Sequence, residues 1–296
     1  MTKFFATSAL VVASASLLRA DVSYQETVRY TGGSMVDMMR NMSSSPIGKM
    51  MGGRMGRALQ DHTSTVYLKG NKMAHIGPDA STIIDLDAGT MTTIDNQRRS
   101  YTTMTFDEMN QRMKEAQEKM SRHGGNGGAD IQFDVKVDDT GKTRTIDGKT
   151  AKEFVMTMTA QGQGQGQPGG GMRLRSDMWT VASETGAEEL RDFYKKMATK
   201  MNYSFAAGMN PMMGSAGQGL AQLAKETSKL EGYPVQQDTS VSGVQGPMMP
   251  MMGGGNQDPN APFLTMSTES HNFSTGPVDD SVFQLPAGYK QQQMKH

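Results

Sequence analysis

Met248, Met249, Met251 and Met252 stand around Pro250 in GPMMPMMGGG, and of all the side chains here they are the best suited to a definite chemistry. A thioether sulfur is soft and neutral, so it can bind Cu(I) or Ag(I) without losing a proton. A chain bent at Pro250 would offer two or three sulfurs to one ion, and Met209, Met212 and Met213 around Pro211 repeat the pattern. The competing use is packing, because methionine is adaptable and lines apolar surfaces whose ligand varies in shape. Met35, Met38, Met39 and Met42 recur at i, i+3, i+4 and i+7 behind Ser34, an amphipathic helical stripe. With methionine at 29 of 296 residues, that stripe ranks packing, or a mobile cover over an apolar hollow, ahead of metal. Proline and glycine exclude a regular helix or central strand from 246–255. That stretch is expected to be a loop whose methionines touch an apolar ligand or a membrane edge in passing.

Catalytic patterns do not assemble. Gly164, Gly166 and Gly169 spell G-x-G-x-x-G, but Pro168 lies inside it, Gly170 and Gly171 follow, and the next element reads as a strand. Without a helix N-terminus no amides line up on a pyrophosphate. The two GKT triplets, at Gly141 and Gly148, lack the upstream glycine of a phosphate loop and read as turns. His62, His75, His123, His271 and His296 are dispersed, without the spacing of a zinc site. Paired acids fall at turns or strand ends. The expectation is a non-enzymatic protein that needs no cofactor.

The elements that would position these residues are mostly short strands. Val22 to Tyr30 reads as the first, HTSTVYLKGNKMAHI as two more turning at Gly70-Asn71, and Ser81 to Phe106 as a meander. Thr105 and Glu108 then form a capping box before a helix bearing Met109, Met113, Ala116 and Met120 on one face. A second strand group follows, with hairpin turns at Thr140-Gly141 and Asp147-Gly148 and with Phe154, Met156 and Met158 alternating against polar positions. MRLRSDMWTV returns with Trp179. Thr185 and Glu188 cap a helix carrying Leu190, Phe193, Tyr194, Met197 and Met201. Two final strands are read in KLEGYPVQQDTSV and PFLTMSTESHNF. Strands in groups, with helices between groups, predict an α+β fold: a curved antiparallel sheet with two or three amphipathic helices on its concave side. Flexible insertions are expected near 43–58, 123–130, 161–171, 208–218 and 244–260.

The first residues, MTKFFATSALVVASASLLRA, combine a basic start with an apolar run too short to cross a bilayer. They predict a signal peptide at 1–20, a single domain over 21–296, and a periplasmic or secreted location. There is no cysteine, so neither a disulfide nor a lipid-bearing cysteine is available. Thirty basic and thirty acidic residues leave zero net charge, which provides no electrostatic case for a nucleic-acid partner.

The segments VYLKGNKM, STIIDLDAGTMTTIDNQRRSYTTMTFDEM, TIDGKTAKEFVM, DMWTV and SVFQLPAGYK resemble a family of exported bacterial proteins of unknown function with a lipoprotein-carrier-like fold. Ala74 departs from it, since many members carry Arg after the Lys-Met pair. The resemblance implies a half-barrel of strands around helices, whose hollow holds acyl chains in the true carriers. An apolar small molecule or a lipidated protein is then the expected partner, bound by a monomer. Met109, Met113, Phe154, Met156, Met158 and Trp179 are the expected cavity wall. The Cu(I) reading and a partner-docking envelope module stand as the alternatives.

Overall fold

A computed structural model describes residues 20–44, 59–112, 131–162, 171–182, 184–200, 230–243 and 260–292, with 115, 226 and 258 besides. The chain runs β1 (Val22–Gly32), α1 (Ser34–Ser44), β2 (His62–Lys69), β3 (Lys72–Ile76), β4 (Ala80–Asp85), β5 (Thr90–Asp95) and β6 (Ser100–Thr105). A helix over 106–112, α2, follows. Then come β7 (Ile131–Ile146), β8 (Lys149–Gly162), β9 (Met172–Val181), α3 (Ala187–Lys200), β10 (Tyr233–Ser242) and β11 (Pro262–Thr275). A 3-10 turn (Asp280–Phe283) and the short β12 (Lys290–Gln291) close it.

All twelve strands join one open sheet in the order β12-β6-β5-β4-β3-β2-β1-β11-β10-β9-β8-β7. Two antiparallel meanders, β1–β6 and β7–β11, meet where β1 pairs with β11. Turn chemistry sets the local pairing: Asp85 Oδ1 accepts from the amides of Asp87 and Ala88, and Asp95 Oδ1 from that of Arg98. The sheet is mixed because β12 lies parallel to β6.

The antiparallel, α+β expectation therefore stands, with details that local pattern could not supply. Thr140-Gly141 is not a hairpin turn. β7 runs straight through it, with a register shift between Asp139 and Thr143. Thr140 Oγ1 bonds Glu153 Oε2 on β8 (2.7 Å), so the chain bulges and continues rather than reversing. Only Asp147-Gly148, both at positive φ, makes the reversal.

The box at Thr105 and Glu108 forms, with reciprocal bonds of 3.1 and 2.8 Å. Its counterpart at Thr185 and Glu188 does not form among the described residues. Gly186 takes φ +77 there, and Glu184 accepts from the Thr185 amide instead. On α1 the buried side chain is Val36, while Met35, Met38 and Met39 are half-exposed and Met42 exposed.

The core sits on one face of β1–β6. Val22, Tyr24, Val66, Leu68, Met73 and Ile84 pack there with Phe106 and Met109 of α2 and with Leu190 and Phe193 of α3. On the other face Ala74, Ile83 and Ile94 lie under Val282, Phe283 and Tyr289 of the C-terminal segment. Fully burying one such side chain contributes about 1.5–3 kcal/mol, so β3–β5 are anchored from both faces.

Candidate functional site

Cross-strand partners share a face of a sheet, so register decides which side chains can meet one ligand. Met73, Ile84, Met91 and Met104 are partnered across β3–β6, which places them on the helix-packed face. Tyr24, Glu26, Val28 and Tyr30 of β1 lie on that face as well. From Tyr30 the ladder runs through Met266, Thr239 and Ser176 to Met156. From Val28 it runs through Thr268, Gln237 and Met178 to Phe154. Leu174 opposes Met158, which in turn opposes Val135.

Phe154, Met156 and Met158 thus share the face that carries α2 and α3, and with Leu174, Met178 and Met266 they form a second apolar field on it. Met109 belongs to the cluster over β1–β6. Trp179 departs from the expected set. It opposes Glu153 on β8 and Gln236 on β10, on the other face of the sheet. Its indole is covered by the Arg144 guanidinium, 3.9 Å from the ring centroid, and it packs beside Ala151, Val181 and Val235. Its odd spacing from Met178 is the reason, since adjacent residues of a strand point to opposite sides. Met113 and the four methionines Met248, Met249, Met251 and Met252 lie outside the described residues. So do Met209, Met212, Met213 and most of the five expected insertions.

Two polar groupings went unforeseen. The first borders the core. The hydroxyls of Tyr24 and Tyr233 are 2.9 Å apart, from β1 and β10. The Tyr24 ring stacks on Phe273 at 4.8 Å, and Tyr233 meets the same ring edge-on at 5.5 Å. Burial pushes all three phenols of Tyr24, Tyr194 and Tyr233 upward, Tyr194 to about 12, so they remain protonated. Beside them on β1 is Glu26, half-buried, its carboxyl raised by burial. Its in-register partners are Ser64 on β2 and Ser270 on β11. A signal for it exists in VSYQETVRY: Glu26 occupies an inward position in the alternation Val22, Tyr24, Glu26, Val28, Tyr30.

The second grouping crosses the opposite face. Arg29 donates to Asp61 at 2.9 Å and to Glu269 at 2.6 Å. His271 Nε2 lies 3.6 Å from Glu269, and its Nδ1 lies 3.0 Å from Asp147 in the β7–β8 turn. The Asp147 contact, ahead of Glu269, raises His271, while Arg29 holds the Glu269 carboxyl low. Because β9 and β10 stand between β8 and β11, the turn must reach across them over this face. Arg144 reinforces that reach through its bond to Gln236. No pair in this network is closer than 32 residues in sequence except Glu269 with His271, so local pattern carried no trace of it. Among the described residues no group of His, Cys, Asp and Glu is arranged to hold a metal ion.

Fold and site together define an α+β protein on one open, mixed twelve-stranded sheet. Neither a family model nor a curated protein matches the chain. Among solved structures, two described as PNGF-II in C2 and P21 space groups align with TM-scores of 0.30 and 0.29 at 8% identity. The alignments cover 92% of this chain but only 31% and 32% of those chains. No helix among the described residues is long and apolar enough to cross a membrane.

Proposed function

We propose that this protein is a non-enzymatic carrier that holds the apolar part of a lipid or lipidated partner against the methionine-rich wing of its sheet. The observation that carries this reading is the shared face of Phe154, Met156, Met158, Leu174, Met178 and Met266, continuous with the helix-packed core. Methionine is unbranched and carries a soft, polarisable thioether, so it reshapes itself around chains of differing outline. In this reading the sheet curls as a half-barrel with the helices on its concave side, as in the lipoprotein-carrier-like family that the sequence resembles. The N-terminal apolar run directs export, and the protein works as a monomer in the periplasm or outside the cell.

Native mass spectrometry of protein purified without detergent tests the reading. Co-purifying lipid, or saturable uptake of a fluorescent fatty acid, is the expected result. A protein that carries no lipid and takes up none is not a carrier. Substituting Met156 and Met158 by Gln should lower the uptake by about tenfold or more, since two apolar contacts are exchanged for amides.

A further inference from the structure

The chain covers part of its sheet with its own C-terminal segment. Beyond β11, residues 276–292 leave the ladder, lie over the face of β3–β6 away from the helices, and finish as β12 beside β6. The surface beneath this strap is a small apolar field. Ala74, Ile83 and Ile94 are buried there under Val282, Phe283 and Tyr289, with Ile76 and Tyr101 packed beside them. Polar contacts fix the strap at both ends. Lys69 Nζ donates to Val278 O and pairs with Asp280, both at 2.8 Å. At the far end the Arg99 guanidinium lies 5.8 Å from the Tyr289 ring centroid. There Lys290 donates its amide to Arg99 O at 3.0 Å, and Gln292 donates its amide to Tyr101 O at 2.8 Å. The surface therefore reads an acidic residue, an apolar pair and an aromatic ring followed by an extended stretch.

The strap is shallowly held. Within it only Val278 is buried, Val282, Phe283 and Tyr289 are half-buried, and the remaining residues are exposed. β12 has two residues and pairs in parallel, the slightly weaker ladder. The joint to β11 is Gly276-Pro277, both exposed, and a side chain added at Gly276 would meet nothing within 4 Å. Proline also biases the residue before it toward extended backbone, so the joint is open and easily straightened. Segments with few buried contacts open before the sheet they lie on. An opened strap leaves Ala74, Ile83 and Ile94 without their cover, and exposing that apolar surface to water is unfavourable. Covering it again takes a segment with the same order of groups, and every copy of this chain carries one.

The geometry points to strap exchange between two copies of this chain: residues 276–292 of one protomer lie over β3–β6 of its partner, and the partner's strap lies over the first. Each exchanged strap keeps the contacts to the Lys69, Arg99 and Tyr101 positions that it makes within one chain. The exchanged pair therefore differs from two monomers chiefly at the Gly276-Pro277 joint, which makes exchange a low-cost route to a symmetric dimer. The inference goes beyond the carrier reading and does not depend on it, since the closed monomer is the form that reading uses.

A chain without cysteine makes the test clean. Lys290 is the register partner of Ser100 across β12 and β6, so S100C and K290C placed in one full-length chain should close a disulfide within it. Two full-length chains carrying one substitution each cannot close that bond alone. Mixed at high concentration under mild oxidation, they should form a covalent dimer whose digest contains the peptide linked 100 to 290, in a yield that rises with chain concentration. Unsubstituted protein should show the same association by light scattering, as a species of twice the monomer mass, while the double variant locked by its own disulfide should remain monomeric. Exchange is overturned if the double variant links within its chain and the mixed single variants give no 100–290 peptide, a dimer linked only 290 to 290 included. Unsubstituted protein that stays monomeric at every concentration overturns it as well, and that measurement decides alone if the bond does not close in the double variant.

Discussion

At the scale of single residues, the linked side chains Arg29, Glu269, His271 and Asp147 make a prediction with a definite sign. His271 is raised above its ordinary value, so its contribution is complete below about 6.5 and is lost as pH rises through the folded value. Glu269 is lowered, so its contribution is present above about 4.5 and is lost as pH falls through its own folded value. Both contributions are complete in the window between those ordinary values. Thermal melting of the wild type should decline from pH ~6 to ~8, and H271Q should flatten that slope. An unchanged slope in H271Q would show that the turn is held by other contacts. Gly186 supplies a second test at this scale. At φ +77, with the Val22 side chain against any added Cβ, G186A should cost roughly 1–3 kcal/mol in urea unfolding.

At the scale of elements, α3 is the helix that seals the core, and Phe193 is 1% exposed within it. Phe193→Ala should destabilise by about 3–5 kcal/mol, read from the urea midpoint at unchanged slope. The cap of α2 is a smaller matter. Thr105→Ala leaves the Glu108 amide without its hydroxyl acceptor and should cost about 1 kcal/mol. The capping box at Thr105 was legible because it is local: donor, acceptor and spacing lie within four residues. Its failed twin at Thr185 shares the spacing, but Lys149 approaches Glu184 at 2.5 Å from β8, and Glu184 takes over the local bonding. That partner is distant in sequence, and no window around Thr185 contains it.

For the whole molecule, the C-terminal segment behaves as a brace. Val278 donates its amide to Asp21 at 2.9 Å, Lys69 reaches Val278 O and Asp280, both at 2.8 Å, and β12 extends the sheet beside β6. A chain ending at Gly276 should expose Ile83 and Ile94, bind more of an apolar dye and melt at a lower temperature. Equal dye binding by the two chains would contradict the packing of Val282 and Phe283 over that face. The brace ties residues near 21 and 69 to residues near 280, so these contacts form only after most of the chain exists.

Sequence alone determined most of the strands, the turn at Asp147-Gly148 and the alternation that puts Phe154, Met156 and Met158 on one face, because period and turn chemistry act between neighbours a few residues apart. It also held Glu26 at an inward position of β1, unread. Only the tertiary structure decided that Trp179 faces away from those three, that β7 bulges where a turn was expected, and that β1 joins the two meanders through β11. Those outcomes depend on which strand lies beside which. Pairing of distant strands is settled by the burial of a shared face and the closure of long loops, and neither quantity is carried by any short stretch of residues.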